Sequence, residues 1–119
     1  MPKMATVHQH FDDAHISDVE KAVHEQITRP EIAARVHSGM RIAIGAGSRG
    51  IANIGIAVRA TVQALRELGA KPFVFPAMGS HGGATAEGQQ AVLAGYGITE
   101  EDVGAPIRAT MDTVLIGKM

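Results

Sequence analysis

The chain has 119 residues, with 12 acidic against 11 basic side chains, a formal net charge of -1 and no cysteine. That length gives one domain with a small core, and the charge balance offers no footprint for nucleic acid or an anionic membrane. The lack of cysteine excludes disulfides, thiolate zinc sites and a cysteine nucleophile. No apolar run reaches the roughly 18 residues of a membrane-spanning helix. The opening MPKMATVHQHFDD lacks a signal peptide's apolar core, so a cytoplasmic protein is expected. Scarce aromatics beside 14 glycines suit an α/β domain with tight ligand loops.

Residues 1–16 show no periodicity. They hold His8, His10 and His15, whose spacing fits no zinc signature, so a solvated segment is expected there. Ser17 or Asp18 can cap a helix to about Ile27, with Val19, Val23 and Ile27 as its apolar stripe. Pro30 interrupts it and suits the first turn of a second helix over 31–37, ended by Gly39. His24 and His37 are expected on solvent faces. The division expected is an N-terminal helical segment over 1–38 and an α/β domain over 39–119.

From Met40 the pattern changes. Arg41, Ala43 and the flanking Ile42 and Ile44 read as a short strand, followed by GAGSRG at 45–50. Asn53 can cap a helix to Leu68, with Ile54, Val58, Thr61, Leu65 and Leu68 on one face and Arg59, Gln63, Arg66 and Glu67 on the other. Gly69 ends it, and Phe73, Val74 and Phe75 form the next strand. A βαβ unit of this kind predicts two parallel strands joined by a right-handed crossover, a Rossmann-like fold with a mostly parallel sheet. A further helix over 85–96, a capped turn at 99–102 and strands over 107–111 and 114–116 complete the reading.

Two glycine-rich loops carry the chemistry. GAGSRG matches the dinucleotide pattern G-x-G-x-x-G, but the acidic residue that should follow about 20 positions later is missing, since Ala77 or Met78 stands there. The amides of Gly47, Ser48, Arg49 and Gly50 at a helix N-terminus remain an anion site, to which Ser48 adds a hydroxyl and Arg49 a fork of donors. The alternatives are a tight turn and a surface arginine. The second loop, Gly79-Ser80-His81-Gly82-Gly83, sets one histidine among glycines that allow close backbone approach. Its alternative is a plain connection with a surface histidine. Both loops follow the carboxyl ends of adjacent parallel strands about 4.8 Å apart. There Arg49 could grip a carboxylate or phosphate while His81 exchanges a proton with the same small molecule.

At these residues, GSRGIANI, then KPFVFPAMGSHGGATAEGQ and GYGITEEDVGAPI, the chain resembles the N-terminal domain of lactate-racemase-like proteins, the nickel-pincer-cofactor-dependent isomerases. The resemblance covers residues 30–119. It implies an N-terminal α/β domain that faces a second domain across a cleft holding cofactor and substrate. It further implies that His81 is one of two catalytic histidines, taking up or delivering the proton at the 2-hydroxy acid carbon. Arg49 would bind the substrate carboxylate, and Ser48 with the amides of Gly47 and Gly50 would meet the cofactor phosphate. Where characterised relatives have a longer polar run with an acidic residue, this chain has Gly45, Ala46 and Gly47. The lysine that tethers the pincer, the nickel-ligating histidine and the second catalytic histidine belong to later parts of the family's chain. The sequence is therefore expected to be the N-terminal part of a roughly threefold longer protein, inactive alone and dependent on a missing C-terminal domain. A non-catalytic phosphate- or nucleotide-binding α/β module is the alternative, and an interaction subunit pairing through an open sheet edge, as in a homo-oligomer, is the third reading.

Overall fold

In the computed structural model, which describes residues 4–117, the elements follow the order α1 (Val19–Thr28), α2 (Pro30–Ala33), β1 (Arg41–Ala46), α3 (Ile54–Glu67), β2 (Lys71–Pro76), α4 (Ala86–Gly95) and α5 (Glu100–Val103). Strands β1 and β2 pair in parallel, Arg41 beside Lys71 through Ala46 beside Pro76, and α3 makes the crossover between them. The result is a mixed α/β structure with a two-stranded parallel sheet and an N-terminal helix. Residues 4–17 form no helix or strand and are exposed, His8, His10 and His15 among them.

Local chemistry explains most of the boundaries. The Asp18 carboxylate accepts from the Lys21 amide and starts α1, and Thr85 and Thr99 cap α4 and α5 by accepting from Gly88 and Asp102. Asn53 precedes α3 in the left-handed conformation (φ 61°) and makes no side-chain cap. The helix expected over 31–37 shrinks to the four residues of α2, because the following chain turns to reach β1, with the Gly39 amide donating to Gly69 O at 2.8 Å.

Two strand expectations fail. Of the stretch 107–111, only Ile107 pairs, through one parallel bridge to Val74, with Val74 N donating to Pro106 O and Arg108 N to Val74 O. Pro106 has no amide with which to extend the ladder. Further on, the Thr110 hydroxyl donates to the Asp112 carboxylate and accepts from the Asp112 amide, a local alternative that competes with sheet pairing. Residues 114–116 form no strand, and Val114, Leu115 and Ile116 are exposed.

The core lies between the sheet, α3, α4 and α5: Ala46, Val58, Val62, Val74, Met78, Leu93, Ile98, Val103 and Ala105. Leu93, Ile98 and Val74 are fully buried, each worth about 1.5–3 kcal/mol of transfer free energy. The polar face expected for α3 is only partly left to solvent: Gln63, Arg66 and Glu67 are exposed and Arg59 is half-buried. Helix α1 packs along it, burying Ala60 and Ala64. Arg59 pairs with Glu20 at 3.6 Å, and His24 Nε2 meets the Glu67 carboxylate at 2.7 Å. His24 is thus a contact between helices, whereas His37 is exposed as expected.

Candidate functional site

The parallel pairing delivers both glycine loops to one end of the sheet. Ala77 N donates to Ala46 O at 2.8 Å, which carries the strand pairing one bond past the strand ends and fixes the two loops side by side. Across that gap the Ser48 hydroxyl and His81 Nδ1 share a hydrogen bond. Ser48 is half-buried and His81 exposed, so the imidazole is anchored at one nitrogen and open to a ligand on its free edge.

Two side chains outside the loops hold this pair. The Tyr96 hydroxyl, at the end of α4, donates to the Ser48 carbonyl oxygen at 2.7 Å. Buried Gln89 donates from Nε2 to the Gly79 carbonyl oxygen at 2.6 Å, pinning the start of the second loop. Tyr96 can reach Ser48 because Gly55 lets α3 approach the end of α4. A Cβ at residue 55 would stand 2.8 Å from the Tyr96 carbonyl oxygen. No local pattern in the sequence marks Tyr96 or Gln89 as partners of loops 48 and 10 residues away.

The second loop is unusually constrained. His81–Ala84 form a tight turn in which Gly82 has φ 64° and Gly83 φ 70°. A side chain at Gly82 would run into the backbone of Gly88 and Gln89, and one at Gly88 into the Gly82 carbonyl oxygen. This pair of glycines presses the loop onto the first turn of α4. Ala84 is also left-handed (φ 55°), which costs about 1 kcal/mol. The Thr85 hydroxyl donates to Gly82 O at 3.2 Å while capping α4. His81 therefore stands on a turn fixed at both ends.

The remaining candidates are placed differently. Helix α3 starts at Ile54, so the amides of Gly47, Ser48, Arg49 and Gly50 lie in a bend several residues ahead of it and not on its N-terminus. Gly47 and Gly50 have open space where a Cβ would stand, leaving their backbone accessible. Arg49 is exposed, and among the described residues it has no ion-pair or hydrogen-bond partner. The residue brought against His81 is Ser48, not Arg49. A recess of about 440 Å³ lies between the start of α3 and the end of α4, lined by Ile51, Asn53, Gly55, Tyr96, Gly97 and Asp102 among others but by neither Ser48 nor His81. Tyr96 thus bridges the recess and the Ser48 backbone.

Gly45 makes room for Phe75, its neighbour in the register. A Cβ there would be 3.2 Å from the Phe75 ring and 3.3 Å from Ala77 Cβ. Among the described residues no group of three or more histidine, cysteine or carboxylate side chains could hold a metal ion, and no helix is long and apolar enough to cross a membrane. No protein-family model, curated protein or solved structure matches the chain.

Proposed function

We propose that the chain is the substrate-binding and proton-handling N-terminal domain of a lactate-racemase-like isomerase acting on a small 2-hydroxy acid. It would be a Rossmann-like unit of a cytoplasmic protein and complete only with a second domain. The observation that carries this reading is the Ser48–His81 hydrogen bond, which joins two glycine-rich loops at the carboxyl ends of parallel strands, where ligands of α/β sheets bind.

The residues suggest a division of labour. His81 carries the proton to and from the bound 2-hydroxy acid, with Ser48 fixing the ring orientation so that one imidazole nitrogen faces the substrate. Arg49, free of partners among the described residues, closes on the substrate carboxylate as a two-pronged donor. The residues here suit only the anionic end of a nickel-pincer nucleotide. The open amides of Gly47 and Gly50 would meet its phosphate, while no nickel ligand set lies among the described residues. When bound, that cofactor would supply the two-electron chemistry at the substrate's C2 carbon. The alternative of a phosphate- or nucleotide-binding module would use the same amides but gives the Ser48–His81 hydrogen bond no role.

The test is interconversion of a single-enantiomer 2-hydroxy acid such as L-lactate by the full-length, cofactor-loaded protein. His81→Ala should abolish turnover with cofactor loading retained. Arg49→Lys should raise KM, because an ammonium cannot reproduce the bidentate fork. Full activity in His81→Ala would remove the histidine from the mechanism, and an unchanged KM would return Arg49 to the surface.

A further inference from the structure

At the opposite end of the strands, four basic side chains surround one recess. Arg41 opens β1 and Lys71 opens β2, and the two are direct neighbours in the parallel register. Arg66 stands in the last turn of α3, and Arg108 follows the bridge to Val74. Together they line a hollow of about 440 Å³ floored by Ala70, Pro72 and Phe73. Ala70 and Pro72 are buried and Phe73 half-buried, while all four cations are exposed.

Like charges side by side on neighbouring strands are unfavourable, and none of these four has an ion-pair partner among the described residues. The imbalance is local, for the chain as a whole carries a net charge of -1 with 12 carboxylates. Arg66 gains from the carbonyl end of α3, but Arg41, Lys71 and Arg108 have no such compensation. Two of the guanidiniums are nevertheless held in place. Arg41 lies 5.7 Å and Arg108 5.0 Å from the centre of the Phe73 ring, a cation–π arrangement that orients both around one aromatic side chain.

We propose that this recess is a second ligand site, specific for a pyrophosphate group, whether free or carried by a small organic molecule. A polyanion relieves the repulsion between Arg41 and Lys71, and guanidinium forks match phosphate oxygens two at a time. The hollow falls within the roughly 300–1,000 Å³ range of small-molecule sites, larger than a single carboxylate requires. Its confinement to one recess on a chain without net positive charge does not suit an extended nucleic acid. The site is separate from the Ser48–His81 loops, because the six-residue strand from Arg41 to Ala46 lies between them, a run of about 16 Å.

The test is calorimetric titration of the protein with inorganic pyrophosphate, with citrate as a polyanion of different geometry, at about 50 mM and about 200 mM salt. Saturable one-site binding of pyrophosphate is expected, clearly tighter than citrate and several-fold weaker at the higher salt. Arg41→Ala with Arg108→Ala should weaken it by about tenfold or more. Phe73→Leu, which keeps every charge but removes the ring that orients them, should weaken it less. Arg49→Ala should leave it intact, separating this site from the other loop. Absent binding, equal affinity for citrate, or loss of binding with Arg49→Ala instead of the Arg41/Arg108 pair would overturn the proposal. Retained thermal unfolding of each variant shows that a loss reports the site and not the fold.

Discussion

The two ends of one small sheet are built on opposite terms. At the carboxyl end polar groups are satisfied locally: the Ser48 side chain by His81, the Ser48 carbonyl by Tyr96 and the Gly79 carbonyl by Gln89. At the amino end Arg41, Lys71, Arg66 and Arg108 stand together without a carboxylate among the described residues. The first arrangement stiffens a site and leaves one imbalance, a ring with a free edge. The second leaves charge available and relies on Phe73 to orient it. Substitutions at the carboxyl end should therefore cost stability, whereas those at the amino end should cost binding.

The sharpest way to break the carboxyl end is at its closest backbone contact. Gly88→Ala places a methyl group against the Gly82 carbonyl oxygen, and neither backbone can yield without moving the turn. It should destabilise by about 3 kcal/mol or more, read as a fall in Tm of roughly 10 °C. Tm within a degree or two of wild type would mean that the loop and α4 are not in contact. Gln89→Leu comes next. It keeps the volume of the buried side chain but leaves the Gly79 carbonyl without its donor, at a cost of about 1–2 kcal/mol. Denaturant unfolding measures it directly.

Tyr96→Phe removes one hydroxyl and should cost about 1 kcal/mol, with faster amide exchange concentrated around Ser48. Because Tyr96 is the chain's single tyrosine and there is no tryptophan, its fluorescence in the wild type reports on the same contact. At the other end, Arg41→Ala trades the relief of repulsion with Lys71 against the loss of a cation–π contact, two small effects of opposite sign. No measurable change in Tm is expected there. Comparably small, Glu67→Gln weakens the exposed pairing of α1 with α3 at His24 and should shift stability by about 0.5 kcal/mol or less. A large loss would show that α1 is held by that pair and not by the apolar surface around Ala60 and Ala64.

What could be read in the sequence follows from the range over which each signal acts. The βαβ order, the parallel pairing and the caps at Asp18, Thr85 and Thr99 are local or nearly so, and the structure has all of them. The nearness of the two glycine loops follows from strand adjacency alone. Which side chains meet there does not. Arg49 and Ser48 are consecutive, and the bend that turns Ser48 inward and Arg49 outward is set by Tyr96 and Gly55, both on other elements. The amides of residues 47–50 never had the helix N-terminus assigned to them, because a helix capped at Asn53 begins only at Ile54, several residues further on. The apolar residues at 114–116 look like a strand to any local criterion, but Pro106 and the Thr110–Asp112 turn stop the ladder before they reach it. Arg59 and Glu67 on the outer face of α3 looked unpartnered because Glu20 and His24 of α1, which pair with them, are more than 30 residues away in sequence.

If the two loops act as one unit through Ser48 and His81, nitrogen-15 NMR of the imidazole rings shows it most directly. Among the six histidines, the ring assigned by its loss in His81→Gln should change its nitrogen shifts in Ser48→Ala, while the other five stay unchanged. The same ring should respond, to a smaller extent, in Tyr96→Phe. If the His81 signals were indifferent to Ser48→Ala, the loops would be independent, and the proton-handling site proposed between them would have no structural basis.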